Sequence, residues 1–269
     1  MAIARHRKAE IPVAGSRRRR VGRKPRRASL VYILEVIVCL SAMGGFGYAV
    51  SEYVIDSPHF QVKTVLIDGA NVLQEETILD AAEVTSSHNV LLLDGSGPAD
   101  RVTALPYIKT AEVSRAYPDT IIIRVEERTP VATLLIHHRA FELDRDGVVL
   151  RELPVLSTHV GPLITNVPAL DVVSPGEQLT HEELLSTLQF WEHFSGSMMG
   201  EEITVSEISL AEANVVGLYC DELPFAIRFG KSEFLAQTER LNVLWSKEGG
   251  NLGCQEYLDM RFGQSIVCL

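Results

Sequence analysis

Four cysteines in 269 residues are too few for a fold built on disulfides. There is no Gly-x-Ser-x-Gly elbow and no His-Glu-x-x-His pair, and beyond residue 30 there is neither a Ser-x-x-Lys nucleophile nor a Lys-Thr-Gly strand, since Lys109-Thr110 runs into Ala111. Serine hydrolases, zinc proteases and penicillin-binding enzymes all need one of these, because each motif places a nucleophile or a metal beside its base. Asp144-Arg145-Asp146-Gly147 opens like a calcium loop but lacks the later oxygen ligands and the distal Glu, so it is read as a turn. His137 and His138 are neighbours that would face opposite sides of a strand. His181 and His193 lie twelve residues apart on a helix and share no turn. The acidic pairs Glu126-Glu127, Glu182-Glu183 and Glu201-Glu202 do not present two carboxylates to one sugar, as glycoside hydrolysis requires. No catalytic, cofactor-binding or metal-ligating residue is expected, and no small-molecule substrate.

With 46% hydrophobic residues the chain has enough apolar material for a globular body. Its charge is divided. Residues 1–30 hold eleven of the 25 basic residues and one of the 35 acidic ones, leaving 14 against 34 beyond, or about −20. The two parts are built for different surroundings.

Between them runs Leu30 to Val50, interrupted by one charge, Glu35. As a helix it reaches ~31 Å, matching the ~30 Å hydrocarbon layer of a bilayer. Glu35 sits near the basic end, within reach of the interface, and Tyr32, Tyr48 and Tyr53 suit the two interfaces. A cleaved signal peptide would need a shorter basic region, a shorter apolar core and a better cleavage site than Tyr48-Ala49-Val50-Ser51. A retained single-pass helix is therefore expected over 30–50, with the basic tail, 1–29, cytoplasmic and the rest outside. The arginine run is better explained by topology and anionic lipid than by nucleic acid or a twin-arginine export signal. Cys39 falls inside the span. An oxidising compartment allows one bridge among Cys220, Cys254 and Cys268; their pairing stays open, with free buried thiols an equal alternative.

Beyond the span, strand, helix, helix, strand, strand is expected between Phe60 and Arg128. Gln61–Ile67 ends at the turn pair Asp68-Gly69, and Gln74–Ala82 carries an apolar stripe of Ile78, Leu79 and Ala82. A second helix opens at Ser96-Gly97-Pro98 and ends at Pro106. Strands Ile108–Tyr117 and Thr120–Arg128 flank Pro118-Asp119, with Ile121, Ile123 and Val125 on the buried face. Strands then predominate. Phe141–Leu143 and Val148–Leu150 flank Asp146-Gly147, the strongest hairpin signal in the chain. Two amphipathic helices are expected, over Thr180–Phe194 with Thr180 as cap, and over Lys231–Trp245 up to Gly249-Gly250. Strand candidates are 203–210, 215–220 and 225–229, and a strand or hairpin over 257–269.

Several blocks together resemble the POTRA domain of the FtsQ/DivIB cell-division family: Phe60-Gln61-Val62 with Val65, Ile67 and Gly69, Asn89–Leu93, Leu105–Ile108, Ala111–Arg115, Tyr117–Thr120 and, most specific, Val125-Glu126-Glu127-Arg128-Thr129-Pro130-Val131-Ala132. Leu143-Asp144, Gly147–Val149, Leu153-Pro154, Gly161–Thr165, Phe229-Gly230 and Leu258-Asp259-Met260-Arg261-Phe262 are similar to the β domain of that family, in order and spacing. The resemblance implies an α+β protein with a POTRA domain at 58–130 and, at 131–269, a mostly antiparallel β domain with two packed helices. It implies a non-enzymatic divisome scaffold in the inner membrane at the septum, its C-terminal domains periplasmic, recruiting FtsB-like and FtsL-like proteins and other septal membrane proteins. The partner contact carries over to Arg261, Phe262, Gly263, Gln264, Ser265 and Ile266, Phe262 standing where the family often has Tyr. A terminal strand at a sheet edge suits such a contact, since a partner strand can pair with its free backbone groups; the alternative is an internal strand completing the core. A membrane-anchored cell-wall enzyme and a POTRA-type secretion or assembly component are the competing classes. The latter would need repeated POTRA units or a long barrel after them.

Overall fold

The computed structural model describes residues 26–154, 157–263 and 265–269, and all of their side chains except those of 26–30 and 56. The chain divides into two units, one ending at Asp56 and one spanning Ser57–Leu269. Among its described residues the first contains one helix, α1 (Arg26–Asp56), in which Val31–Ile55 is long and apolar enough to cross a membrane, with mean hydropathy 1.8. It outruns the expected 30–50 at its C-terminal end because Ser51–Asp56 contains no Gly or Pro, and the Tyr48 hydroxyl donates to Glu52 one turn on, at 2.6 Å.

The second unit opens with β1 (Thr64–Asp68), α2 (Glu75–Ala82), α3 (Ser96–Thr103), β2 (Ile108–Ala116) and β3 (Thr120–Glu127), the expected β-α-α-β-β order. The sheet order is β1-β3-β2, with β1 parallel and β2 antiparallel to the central strand. The two-residue period of β3 buries Ile121, Ile123 and Val125 against Ile78 and Ala82 of α2 and Val102 of α3. Each such side chain contributes ~1.5–3 kcal/mol by leaving water. The first strand starts three residues later than expected, since Gln61 makes only an isolated bridge to Asn89. Gly69 is required at its position: φ is +94°, and a Cβ there would run into the Val125 carbonyl.

Nine further strands follow: β4 (Pro130–Ile136), β5 (Arg139–Asp144), β6 (Val149–Leu153), β7 (Leu163–Thr165), β8 (Val205–Ser209), β9 (Val215–Cys220), β10 (Ala226–Gly230), β11 (Tyr257–Asp259) and β12 (Val267–Cys268). Their order in one sheet is β12-β11-β10-β9-β8-β7-β4-β5-β6. Antiparallel pairs predominate, but β4/β7, β7/β8 and β10/β11 are parallel. Helices α4 (Glu182–Ser195), α5 (Met198–Glu202) and α6 (Phe234–Glu248) number three where two were expected, the short α5 being capped by Ser197. They bury Leu184, Leu188, Phe190, Phe194 and Leu241 in one core with Leu134, Ile208, Leu218 and Phe229 of the sheet. Phe190 lies at its centre, 4.8 Å from both Phe229 and Phe234 between ring centroids.

Local chemistry shifts several expected boundaries. The cap of α4 is His181, not Thr180, its Nδ1 accepting from the Leu184 amide at 3.4 Å. Helix α6 begins at Phe234, where Gln237 reaches back to accept from the Gly230 amide at 2.8 Å and donate to the Ser232 carbonyl at 2.5 Å, holding the preceding turn. His137 and His138 are not in a strand. They form the two-residue turn between β4 and β5, both at positive φ (+45° and +68°), which the twist of a tight hairpin demands. The Asp146-Gly147 hairpin stands as expected, Asp144 Oδ1 accepting from the amides of Asp146 and Val148.

The small and large sheets are joined at the β3–β4 junction. Glu127 accepts from the amides of Asn71, Val72 and Leu73 at 2.8–2.9 Å, and Arg128 pairs with buried Asp144 at 2.6 Å. Tyr107, leading into β2, packs on Val148 and Leu150 and donates to Glu142, whose carboxylate also takes a two-pronged grip from Arg151 at 2.7 and 2.9 Å. Burial first, then the Glu142 hydrogen bond and charge, push the Tyr107 phenol up. Glu127→Ala is expected to cost about 1–2 kcal/mol, since water can reach only part of the freed 71–73 backbone, and to speed amide exchange at those three residues in hydrogen-exchange mass spectrometry.

Candidate functional site

Of the residues expected at the partner contact, the described ones lie in the last hairpin of the large sheet. β11 is held by β10 on one side, in parallel register Ala226↔Tyr257 to Arg228↔Asp259, and the Met260 amide donates to the Arg228 carbonyl. On its other side lies β12, through Leu258↔Cys268 and Asp259↔Val267. Leu269 N–H donates to the Tyr257 carbonyl at 3.1 Å, which makes 257/269 a hydrogen-bonded pair and 258/268 a non-bonded one. The N–H and C=O of Cys268 therefore point away from β11, out of the sheet. At the opposite end, β6 is covered in part: Val149 exchanges hydrogen bonds with Gly176 and Glu177, and Val148 bridges Gln178.

Arg261 is pinned. Its Nε and Nη2 donate to both oxygens of Asp259 at 2.6–3.1 Å, and its own amide donates to Asp259 Oδ1 at 3.0 Å. Arg240 of α6 donates to the Met260 carbonyl at 2.6 Å, tying the turn to the helical layer. Phe262 is 51% exposed beneath the Arg261 guanidinium, 5.7 Å from its ring centre. Gly263 is exposed, Ser265 closes a turn by donating to the Phe262 carbonyl at 2.9 Å, and Ile266 packs half-buried on the core. Gln264 lies outside the described residues, as does the basic tail up to residue 25. A bond between Cys254 and Cys268 closes the hairpin, leaving Cys220 as a buried free thiol. Sequence reading passed over Arg228, whose guanidinium stacks on Tyr257 at 4.1 Å, and Asp259 as the anchor of Arg261. The Asp-x-Arg spacing was the available signal for the second; nothing local marks the first.

Among the described residues no group of three or more His, Cys, Asp or Glu is placed to hold a metal. The acidic pairs have structural partners: Glu126 meets Lys109, Glu127 caps the 71–73 loop, Glu183 meets Lys231 at 2.8 Å, and Glu202 accepts from Trp245 at 2.7 Å. What the hairpin offers chemically is a backbone edge on β12 and, in its turn, an exposed aromatic ring and a fixed cation.

Residues 60–128 match the POTRA domain of the FtsQ type. Over 234 residues, 87% of this chain and 80% of the relative, the sequence is 24% identical to the cell division protein FtsQ of Syntrophotalea carbinolica. Over most of its length the chain is similar to FtsQ proteins. It is 22% identical to FtsQ of Geotalea daltonii over 85% of the chain and 82% of that protein, and 36% identical to FtsQ of Caulobacter vibrioides over 96 residues, 36% of the chain and 32% of the relative. This is a cell-division protein with a POTRA domain. The block Val125–Ala132 does its work inside the molecule, where Glu127 and Arg128 fix the small sheet to the large one.

The Arg261–Asp259 pin is pH-dependent in a defined direction. Burial raises the Asp259 pKa, but the hydrogen bonds from Arg261 and the charges of Arg261 and Arg228 outweigh it, so the carboxyl ends below its usual value. A depressed carboxyl contributes stability above its unfolded pKa of ~3.9 and loses it as pH falls through the folded value. The amides of Met260, Arg261 and Ser265 should keep their protection at neutral and mildly acidic pH and lose it only below ~pH 4. Asp259→Asn should abolish that transition in NMR-detected exchange.

Proposed function

We propose that this chain is a single-pass scaffold of the divisome, anchored by α1 with its basic tail in the cytoplasm, that captures FtsB-like and FtsL-like septal proteins by adding a partner strand to β12. The observation that carries the reading is the outward-pointing backbone of Cys268 on the outermost strand, in a hairpin whose turn carries exposed Phe262. Main-chain bonds to such an edge give affinity, and side chains of the same hairpin give selectivity. The charge step from the basic tail to an acidic exterior supports the orientation, since Lys and Arg remain on the cytoplasmic side. The structural partners of the acidic pairs favour binding over catalysis.

The test is reconstitution of the full chain with purified FtsB-like and FtsL-like proteins in lipid nanodiscs, beside a chain ending at Glu256, with circular dichroism checking that both are folded. Capture by the first alone supports the reading. Equal capture by both would move the contact elsewhere.

A further inference from the structure

We propose that Cys254–Cys268 is a thiol–disulfide exchange site, open to a dithiol oxidoreductase, that sets whether β12 is docked on the sheet; its consequence for partner capture rests on the strand-addition reading above. β12 is two residues long, and a strand so short has little hold of its own. Three things fasten it: the pairs it makes with β11, the Leu269 carbonyl accepting from the amides of Gln255 and Glu256 at 2.6 Å each, and the bond from Cys268 back to Cys254, fourteen residues earlier. Only the last is covalent, and it holds the very residue whose backbone faces out of the sheet.

The two half-cystines are unequal. Cys268 is exposed and Cys254 is buried in the core cluster. An incoming thiolate therefore attacks Cys268 Sγ, forming a mixed disulfide as the S–S bond breaks and Cys254 leaves as a thiolate that takes a proton. The second thiol of the dithiol then attacks its own sulfur in the mixed disulfide, releasing Cys268, which is protonated in turn. The dithiol becomes a disulfide, and the protein gains two electrons and two protons; the reverse sequence closes the hairpin. Cys220 does not compete, since it is buried and its thiol is pushed up to about 12, by burial first and then by Glu222 and Asp221.

The full chain in nanodiscs is exposed to a dithiothreitol series, alkylated with iodoacetamide and mapped by mass spectrometry, with hydrogen exchange followed on 255–269. Cys254 and Cys268 should label together at concentrations that leave Cys220 unlabelled, and exchange across 255–269 should rise about a hundredfold, the loop-closure value for a bridge of this span. A Cys254→Ala/Cys268→Ala chain should exchange like the reduced protein without reductant, while 205–220 stays protected. Equal protection of 255–269 in the oxidised and reduced chains would overturn the proposal, as would labelling of both cysteines before any reductant is added. Binding of the purified FtsB-like protein, read in the same samples, separates the two ideas: if 255–269 loosens and binding is unchanged, the exchange site stands and the docking reading falls.

Discussion

Phe262→Asp is expected to weaken capture of an FtsB-like partner about 30- to 100-fold while moving the melting temperature by no more than a degree or two. The ring is half-exposed, absent from the buried core, and lies 5.7 Å from the Arg261 guanidinium, so its loss removes little from the fold. In a docked complex the same ring would be covered, and a carboxylate there would be buried without a partner, the kind of change that costs 2 kcal/mol or more at an interface. Phe262→Tyr should bind like the parent. Tyr117→Asp, at an even more exposed aromatic in the turn between β2 and β3, controls for nonspecific loss and should leave this binding unchanged. Surface plasmon resonance on the purified partner, with thermal melts of each variant, reads both quantities.

The largest stability effect is expected from Arg151→Ala, at the junction of the two sheets. Glu142 is 1% exposed and has two side-chain partners, Tyr107 and Arg151. Removing the cation leaves a buried carboxylate held by one hydroxyl, a situation that costs ~3–5 kcal/mol. The Arg151 side chain is itself 57% exposed, so water can take up part of its place, and the effect should fall near 3 kcal/mol, about 10 °C in melting temperature for a chain of this size. Arg139→Ala breaks a pair with Glu152 whose members are both solvent-exposed, and should cost under ~1 kcal/mol. The contrast between the two arginines isolates burial as the cause, because both make paired hydrogen bonds to a glutamate.

Local rules made much of this fold legible. The alternation at Ile121, Ile123 and Val125, the Asp146-Gly147 hairpin, the stripe of Leu184 and Leu188 and the stop at Gly249 each depend on residues within a few positions of one another, where pattern and structure are tied by geometry. Long-range pairings were not legible. Nothing near residue 257 says that β11 runs parallel to β10 across an intervening helix, and nothing near Leu163 says that a three-residue strand sits between β4 and β8. Phe190 and Phe194 extend the α4 stripe because α6 meets it over Phe229, a fact of tertiary packing. The His137-His138 turn hid because a two-residue hairpin with both residues at positive φ is ordinarily signalled by Asn-Gly or Asp-Gly, and neither is present here. At the candidate edge, resemblance pointed to Arg261 through Ile266, whereas the geometry adds Asp259 as anchor and Cys268 as the residue whose backbone faces outward. Cysteine count alone left the pairing open, and only the placement of 254 beside 268 resolves it.

Strand addition to β12 makes a claim about one amide. In the free protein Cys268 N–H points away from β11, whereas Leu269 N–H already donates to the Tyr257 carbonyl. Residue-resolved hydrogen exchange by NMR, on the full chain with and without a saturating FtsB-like partner, reads both directly. The account predicts that the Cys268 amide slows by about a hundredfold or more on binding, while Leu269 changes little. A Cys268 amide that exchanges at its free rate in the saturated complex would contradict it.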